Sequence, residues 1–369
     1  MIELFFAASL FVYILFIGHL IYGFTKLDRY FKKQITAKTS FSIVVPFRNE
    51  ENNLPNLLHS ITLLNYPKDL VEIILVDDDS NDSWKMEDGI WKFEIRLIKN
   101  IRKSNSPKKD AIETAIEIAK NDWIITTDAD CIVQKDWLTI FDQFIQENKK
   151  EMIASGVCYI PRNGFLAAFQ NLDFLSLQGA TIGSFGGNKP FMCNGANFAY
   201  SKSFFEKLEG FKGNENIASG DDVFLLQKAI LVAPKKVGFL FSTDSIVATK
   251  PVSTWIDLFQ QRVRWAAKST GYSSVYAKWL ALVVFNGNLA WILTFILWIL
   301  DVIEPNFFMF FIASKFLIDF ILLFKTALFF NSKLQYVLAS SLLYPFFSVL
   351  VALYLFFGTY NWKGRTFRK

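Results

Sequence analysis

The sequence has few of the residues that most often hold transition metals. Its 369 residues include three cysteines (Cys131, Cys158 and Cys193) and two histidines (His19 and His59), and these follow no metal-ligand spacing. The composition therefore argues against a metal site built from cysteine and histidine. An odd and sparse set of cysteines fits free thiols in a reducing compartment better than a disulfide framework.

Lysine and arginine are absent from residues 1–24, where Glu3 is the single acidic residue. This apolar stretch exceeds the ~20 residues that cross a bilayer as a helix. It lacks the basic start and small-residue cleavage site of a signal peptide, so we expect a retained transmembrane helix over residues 1–25. Basic residues follow it directly, at Lys26, Arg29, Lys32, Lys33 and Lys38. By the positive-inside rule the N-terminus lies outside and the next domain lies in the cytoplasm.

The chain also has no internal repeat and no low-complexity tract. Hydrophobic residues make up 52% of it, and the 40 phenylalanines are concentrated towards the two ends. This distribution predicts an integral membrane protein with a soluble middle, and the inner (plasma) membrane of a bacterium is the expected location. The net charge of +5 comes from basic residues beside the apolar segments, so we expect a membrane and not a nucleic acid as the partner.

Residues 275–360 contain three further apolar stretches, near 277–300, 306–330 and 334–358. The middle stretch carries Lys315, Asp319 and Lys325, and ionisable residues at that depth usually face protein or a water-filled cavity. Three crossings would place the basic tail, residues 361–369, on the outside, against the positive-inside rule. We therefore expect 306–330 to be partly re-entrant or interfacial, so that two segments cross after the soluble domain.

Residues 40–250 read as alternating strands and helices. The predicted strands are 41–46, 71–76, 94–98, 123–127 and 152–160, and the predicted helices are 51–64, 111–120, 165–182 and 223–230. Residues 183–197, which are rich in Gly and Asn, read as a loop. Strands separated by helices of this length predict an α/β domain with a parallel sheet. Ser219 is a plausible N-cap of the last helix.

Two carboxylates, Asp128 and Asp130, follow the apolar strand 123–127. The carboxyl edge of an open α/β sheet is where ligands bind. Carboxylates placed together there need a counter-charge, and hard oxygen ligands suit Mg²⁺ or Mn²⁺. Taken alone, the pair is more typical of a solvated turn than of a metal site.

Residues 251–273 mix aromatic and aliphatic residues with arginine and lysine, as in Trp255, Arg262 and Trp265. Such a pattern predicts an amphipathic basic helix that lies on a membrane surface.

Five motifs occur in a fixed order along the chain: Val45-Pro46-Phe47-Arg48-Asn49-Glu50, Val76-Asp77-Asp78-Asp79-Ser80-Asn81-Asp82, Asp128-Ala129-Asp130, Ser219-Gly220-Asp221-Asp222 and Gln261-Arg262-Val263-Arg264-Trp265. Over roughly residues 40–270 the chain thereby resembles family 2 glycosyltransferases. The arrangement is similar to the membrane-embedded branch that includes ceramide glucosyltransferase and the cellulose and hyaluronan synthases. The resemblance implies a GT-A, Rossmann-like nucleotide-sugar-binding domain flanked by transmembrane helices.

The resemblance also implies roles for the first motifs. Asp78 reads the nucleotide base, and Pro46 and Glu50 line the same pocket. Asp79 departs from the family, which often has glycine there, and it adds charge near the pocket. A plain strand-to-helix turn is the alternative interpretation of these residues.

The central motifs carry the chemistry that the resemblance implies. Lys108 contacts the diphosphate, Asp128 lies on the nucleotide side, and Asp130 binds a divalent cation, Mn²⁺ or Mg²⁺. Asp222 is the general base. Asp221 is expected to support the base, and it stands where the family usually has glutamate. Its side chain is shorter than that of glutamate. The alternatives are a solvated helix start for Lys108 and simple helix capping for the two aspartates.

The last motif implies contacts with diphosphate and acceptor from Gln261, Arg262, Arg264 and Trp265. Arginine binds phosphate bidentately, and tryptophan stacks on a sugar or contacts a lipid. Membrane anchoring alone is the alternative. Residues 194–197 lie where the family shapes the acceptor end of the site, and a plain loop is equally compatible.

Together these features predict an inverting hexosyltransferase. It would take a nucleotide-diphosphate sugar, with a UDP-sugar favoured, and transfer the sugar to a membrane lipid or glycan acceptor at the cytoplasmic face. A processive polysaccharide synthase is one alternative. A non-catalytic membrane subunit that binds nucleotide sugar is a second.

Overall fold

The computed structural model describes residues 1–84, 91–215, 217, 219–355, 360–362 and 365–367. Two sequence-based expectations extend outside these residues. The last apolar stretch, 334–358, is described up to residue 355. Four residues of the basic tail, Lys363, Gly364, Arg368 and Lys369, also lie outside the described residues.

The elements are numbered in chain order. The helices are α1 (Ile2–Lys26), α2 (Leu54–Thr62), α3 (Pro107–Ile118), α4 (Trp137–Asn148), α5 (Phe165–Gly186), α6 (Lys202–Lys207), α7 (Asp221–Val232), α8 (Trp255–Ala267), α9 (Val275–Ile299), α10 (Pro305–Phe330) and α11 (Val337–Tyr354). The strands are β1 (Phe41–Phe47), β2 (Val71–Asp77), β3 (Glu94–Lys99), β4 (Trp123–Thr126), β5 (Cys131–Ile132), β6 (Met152–Ser155), β7 (Val157–Tyr159), β8 (Phe198–Ser201), β9 (Val237–Leu240), β10 (Val247–Thr249), β11 (Tyr360–Trp362) and β12 (Arg365–Phe367).

The chain divides into two compact units. The helical unit comprises Met1–Leu27, Pro161–Phe191 and Pro251–Lys369, and the sheet unit comprises Asp28–Ile160 and Met192–Lys250. Helix α5 lies within the 40–250 span that the sequence assigns to the catalytic domain, yet it packs with the helical unit.

A seven-stranded sheet in the order β3-β2-β1-β4-β8-β6-β9 forms the core of the sheet unit. Strand β1 runs parallel to β2 and β4, as expected for strands separated by helices, and β2 also runs parallel to β3. Strand β8 is antiparallel to both neighbours, β4 and β6. The expectation of a purely parallel sheet is therefore wrong at β8, because this strand arrives from a long excursion through α5 and not by a local crossover.

The register of the sheet brings three loops to one edge. Phe47, at the end of β1, lies opposite Asp77, at the end of β2. Strand β4 pairs with the same β1 through Val44 and Thr126. Since these strands are parallel, the residues that follow β1, β2 and β4 share the carboxyl edge. The motifs beginning at Asp78 and Asp128 therefore reach one edge of the sheet.

The predicted strand 152–160 is in fact two strands. Gly156 separates β6, in the main sheet, from β7, which joins a second sheet in the order β5-β10-β7. The carbonyl of Gly156 accepts hydrogen bonds from Val247 N (3.2 Å) and Asn197 Nδ2 (2.8 Å). Gly156 thus accepts hydrogen bonds from β10 of the second sheet and from the residue that precedes β8 of the main sheet. Strand periodicity alone does not reveal such nonlocal contacts.

Two helix starts differ from those the sequence predicts. Helix α3 begins at Pro107, four residues earlier than predicted, because proline suits the first helical position. Lys108 therefore lies in the first turn of α3. Helix α7 begins at Asp221, and its N-cap is Gly220, in place of the predicted Ser219.

Glycines decide the packing of α5 in the helical unit. The predicted loop 183–197 is wrong at its start, because α5 remains helical up to Gly186. A Cβ on Gly183 would lie 2.3 Å from the carbonyl oxygen of Leu20, and one on Gly23 would lie 2.0 Å from the carbonyl oxygen of Gly183. Helices α1 and α5 thus pack backbone against backbone, a contact that favours helix over loop and that small residues permit.

Four helices in the described residues are long and apolar enough to cross a membrane: α1, α9, α10 and α11. Helix α10 is continuous over 26 residues, and its partly re-entrant path stays a prediction. Lys315 in this helix forms an ion pair with Asp319 (2.8 Å), which also accepts a hydrogen bond from Tyr13 of α1 (2.7 Å). Of the two surroundings expected for these ionisable side chains, protein or a water-filled cavity, Lys315 and Asp319 therefore lie against protein.

Candidate active site

Lys108 is the centre of a carboxylate cluster in the sheet unit. Its Nζ lies 2.6 Å from Asp128 Oδ1 and 3.4 Å from Asp221 Oδ2. Asp128 follows β4 and Asp221 opens α7, so the cluster joins elements nearly a hundred residues apart. The three predicted residues are brought together at the sheet's carboxyl edge. The ammonium group of Lys108 lies between the carboxylates of Asp128 and Asp221.

The charge of Lys108 is secured by its surroundings. Burial alone would lower the pKa of this amine, but the negative charges of Asp128, Asp221 and Asp222 outweigh it, so the net effect raises the pKa above its usual value. Lys108 is therefore a permanent cation at physiological pH. A lysine ammonium is a point charge that can pair with a phosphate as well as with a carboxylate.

Gly195 connects this cluster to Asp222. Its N–H donates to Asp222 Oδ2 (3.0 Å), and its carbonyl accepts from the hydroxyl of Thr126 at the end of β4 (2.6 Å). A Cβ at this position would lie 2.8 Å from Asp221 Oδ2 and 3.3 Å from Lys108 Nζ. The loop 194–197, which the sequence left open between a plain loop and part of the site, thus fixes one oxygen of the predicted base.

The start of α7 is shaped by a second glycine. Gly220 has φ +84°, and a Cβ there would lie 2.6 Å from the ring of Phe224. Asp221 and Asp222 both fall in the first turn, where the helix dipole favours negative charge. Both aspartates therefore suit the helix start through the dipole, and this position is also compatible with their predicted catalytic roles.

Asp130 lies two residues beyond Asp128 and is half-buried. The thiol of Cys131 donates to its Oδ1 (3.7 Å), and burial raises the pKa of that thiol. Carboxylate oxygens such as those of Asp128 and Asp130 are the ligands that a hard divalent cation prefers over a thiol. Within the described residues no group of three or more His, Cys, Asp or Glu side chains is arranged to hold a metal ion.

Asp78 is buried at the end of β2. Its Oδ1 accepts from Asn100 Nδ2 (2.7 Å) and lies 3.5 Å from Arg102 Nη1. Asn100 also donates to the carbonyl of Pro107 (3.0 Å), the residue before Lys108. The predicted base-binding carboxylate is thereby linked to the helix that carries Lys108.

Three further residues, Asn100, Arg102 and Arg48, contact Asp78 and are not among those predicted from the sequence. Asn100 directly follows β3, so its place at the carboxyl edge could have been read from the strand pattern. Arg48 donates to the backbone carbonyl of Asp78 (2.7 Å), a contact between loops that no local pattern indicates.

Asp79 has φ +62°, in the left-handed region that favours glycine. This explains why glycine is common at the matching position in the family, since aspartate tolerates the conformation better than most side chains. The Asp79 side chain is 89% exposed and lies 3.8 Å from Arg48. Its extra charge therefore faces solvent.

Glu50 and Pro46 occupy the neighbouring loop. Glu50 Oε2 accepts from Asn53 Nδ2 (2.5 Å), and Pro46 pairs in register with Val76, two residues before Asp78. The loops after β1 and β2 are joined by Asn49 Oδ1, which accepts from Asn81 N (2.7 Å). Glu50 and Asp78 are thus on adjacent, connected loops.

The four residues of the last motif belong to α8, in the helical unit. Arg262 is 6% exposed; its Nε donates to Asp173 of α5 and its Nη1 donates to Gln261. Its guanidinium carbon lies 4.2 Å from the centroid of the Trp265 ring. Arg264 is partly exposed. The predicted diphosphate contact of Arg262 stays a prediction, and in this structure its guanidinium faces protein groups.

The α/β domain is similar to known glycosyltransferases. Residues 42–209 match the family model described as glycosyl transferase family 2. The chain is 26% identical over 249 residues to a probable glycosyltransferase, YdaM, of Bacillus subtilis, which covers 65% of this chain and 57% of the relative. It is 27% identical over 115 residues to the poly(ribitol-phosphate) β-N-acetylglucosaminyltransferase TarS of Staphylococcus aureus, which covers 31% of this chain and 20% of the relative. The chain thus spans little more than half of the first relative's length.

The fold is shared with a solved glycosyltransferase. The structure of a mannosyltransferase from Pyrobaculum calidifontis, in complex with GDP-mannose and Mn²⁺, has a TM-score of 0.53 at 14% identity and covers 96% of this chain and 98% of its own. Four apolar helices, one N-terminal and three C-terminal, flank the α/β domain in the described part of this chain. Residues 42–209 are thus similar to glycosyl transferase family 2, and the α/β domain has a mixed, GT-A-like fold.

Proposed function

We propose that this protein is an inverting hexosyltransferase that transfers a sugar from a nucleoside-diphosphate sugar to a lipid or lipid-linked acceptor at the cytoplasmic face of a membrane. One observation carries the proposal. Lys108, Asp128, Asp221 and Asp222 converge around Gly195 in a domain that matches family 2 glycosyltransferases.

The donor nucleotide would bind on the loops after β1, β2 and β3. Asp78 offers a carboxylate to the base, and Asn100 and Arg102 hold that carboxylate in place. Glu50 and Pro46 line the same loops. The mannosyltransferase of like fold holds GDP-mannose, so both UDP- and GDP-sugars belong in the tests, although the motifs favour UDP.

The diphosphate would lie against Lys108, whose charge is permanent. The donor set fits a hard cation, because Asp130 and Asp128 supply carboxylate oxygens. Mg²⁺ and Mn²⁺ sites of this kind take one or two carboxylates and fill the other positions with substrate phosphates and water. The chemistry supplied by such a cation is neutralisation of charge on the departing diphosphate.

Asp222 would act as the base. As the acceptor oxygen forms its bond to the anomeric carbon, its proton passes to the Asp222 carboxylate. The bond between that carbon and the diphosphate breaks, and the nucleoside diphosphate leaves with the electron pair. Gly195 N–H holds Oδ2 of Asp222, which orients the carboxylate. Such general-base catalysis contributes about 10²–10⁴-fold.

The acceptor would come from the membrane. The apolar helices of the helical unit and the aromatic, basic helix α8 suit a lipid or lipid-linked acceptor. TarS is named for a poly(ribitol phosphate) acceptor, so a glycan-phosphate acceptor is included. Lys26 and the basic residues that follow α1 support a cytoplasmic position for the sheet unit by the positive-inside rule. A processive synthase needs a channel, which four candidate spans do not favour.

The test is release of nucleoside diphosphate by purified protein with Mn²⁺, a UDP- or GDP-sugar and a bacterial lipid extract, followed by mass spectrometry of the lipids. Asp222→Asn should lower release by about 10²–10⁴-fold while the Kd for the donor, from calorimetry, changes little. Asp69→Asn, at an exposed aspartate of the same unit, is the matched control and should keep full activity. No release with any donor would refute the transferase, and a ladder of oligosaccharides would refute single transfer.

A further inference from the structure

Helix α5 carries two buried polar side chains on one face. Gln170 and Asp173 are three residues apart, so they lie on the same side of the helix, and both are buried. Polar groups buried in an apolar helix are costly unless they are paired. Their partners are therefore informative about what this face does.

Both partners belong to the segment that forms α8. Gln170 exchanges two hydrogen bonds with the backbone of Val252, each 3.1 Å long, three residues before α8 begins. Asp173 pairs with Arg262 in the middle of α8. The rings of Phe174 and Trp265 pack with centroids 6.0 Å apart. This face of α5 thus fixes the Gln-Arg-x-Arg-Trp helix at several points along its length.

A single guanidinium then organises the motif. Arg262 donates Nε to Asp173 and Nη1 to Gln261, and its plane lies over the Trp265 ring, 4.2 Å from the centroid. The fork of an arginine has fixed geometry, so the direction of one bond sets the directions of the others. Asp173 therefore determines where Gln261 and Trp265 stand.

We propose that Asp173 is a positioning residue for acceptor recognition, acting through Arg262 on Gln261 and Trp265. This inference rests on the proposed function, in which the motif serves the acceptor. It assigns Arg262 to the support of the motif instead of to the diphosphate. Asparagine at position 173 keeps the size but removes the charge, so the buried guanidinium loses its ion pair with this carboxylate and the constraint that the pair places on its orientation.

The experiment compares Asp173→Asn with Asp173→Glu and with Asn171→Ala. Asn171 is the matched control, because it is a polar α5 residue whose amide bonds Ser332 and not α8. With a bacterial lipid extract and the active donor sugar, Asp173→Asn should raise the apparent KM for the extract at least ~10-fold. The KM for the donor and the acceptor-independent release of nucleoside diphosphate should stay within about twofold. Asp173→Glu should recover most of the loss.

A parallel loss in donor KM, acceptor KM and acceptor-independent release would overturn the assignment, since it would indicate a general structural role. An unchanged acceptor KM in Asp173→Asn would overturn it as well. The double variant Asp173→Asn, Arg262→Gln removes both buried charges and should regain thermal stability relative to Asp173→Asn. Its acceptor KM should stay raised, because the guanidinium that orients Gln261 and Trp265 is absent.

A second readout separates this inference from the proposed function. Phenylglyoxal modification of Arg262, followed by peptide mass spectrometry, needs no activity. Arg262 should be protected in the wild type and in Asn171→Ala, and modified in Asp173→Asn. Equal modification in all three would refute the ion pair even if transfer is confirmed. Protection as expected, with no transfer by the wild type, would instead refute the proposed function.

Discussion

Replacement of Gly195 by alanine tests the geometry of the carboxylate cluster with a single methyl group. The added Cβ would lie 2.8 Å from Asp221 Oδ2, 3.3 Å from Lys108 Nζ and 3.5 Å from Asp222 Cβ. The backbone cannot easily retreat, because its N–H is bonded to Asp222 and its carbonyl to Thr126. The side chains of the cluster must move instead.

The size of the effect follows from these distances. Ordinary van der Waals contact begins near 3.4 Å, so Asp221 or the loop must shift by 0.6 Å. Overpacking of this kind costs about 1–3 kcal/mol of folding stability. A misplacement of about 1 Å at a reacting group costs about 10²-fold in rate. We therefore expect Gly195→Ala to lower kcat by about 10- to 100-fold with a modest loss of stability.

The assay is nucleoside diphosphate release, with thermal unfolding measured on the same sample. Gly238→Ala is the matched control, because its Cβ would meet only the side chain of Lys150, at 3.1–3.4 Å, and that flexible chain can give way. The control should keep its kcat. Full activity in Gly195→Ala would refute the proposed geometry, and so would an equal loss of activity in Gly238→Ala.

Further predictions concern separate parts of the molecule. Lys108→Met should weaken donor binding about 10- to 100-fold in calorimetry, since a charge-assisted hydrogen bond contributes about 1.5–3 kcal/mol; unchanged affinity would contradict the diphosphate role. Because the pKa of Lys108 is raised, its amine stays protonated below about pH 10 and loses its proton only as the pH rises through that raised pKa. Donor affinity should therefore not fall between about pH 7 and about pH 9 through this group. Asp79→Val should lower the free energy of unfolding by about 1–2 kcal/mol, whereas Asp79→Gly should not, and equal stability would disprove the strain. Tyr13→Phe removes the hydrogen bond to Asp319 and should lower the free energy of unfolding in detergent by about 0.5–2 kcal/mol without changing donor affinity. An unchanged melting temperature would show that this bond does not stabilise the helical unit.

The strands and helices that short stretches of the sequence encode could be predicted without the structure. The buried runs of β1, β2 and β4 and the carboxylates after them follow from apolar patterning and strand ends, so Asp78 and Asp128 could be assigned to the carboxyl edge. The long apolar helices α1, α9, α10 and α11 follow from composition. The motif order gave the family resemblance, because each motif is a short stretch with fixed spacing.

Features that depend on contacts between distant residues are visible only in the folded structure. That β8 runs antiparallel, that 152–160 is divided at Gly156 and that α5 continues through Gly183 are outcomes of strand pairing and backbone packing, which leave no periodic trace in the chain. The bond from Gly195 to Asp222 and the ion pair of Arg262 with Asp173 are likewise nonlocal. A motif shows which residues are present, but the direction in which a charged side chain points is set by the partner that the fold brings to it.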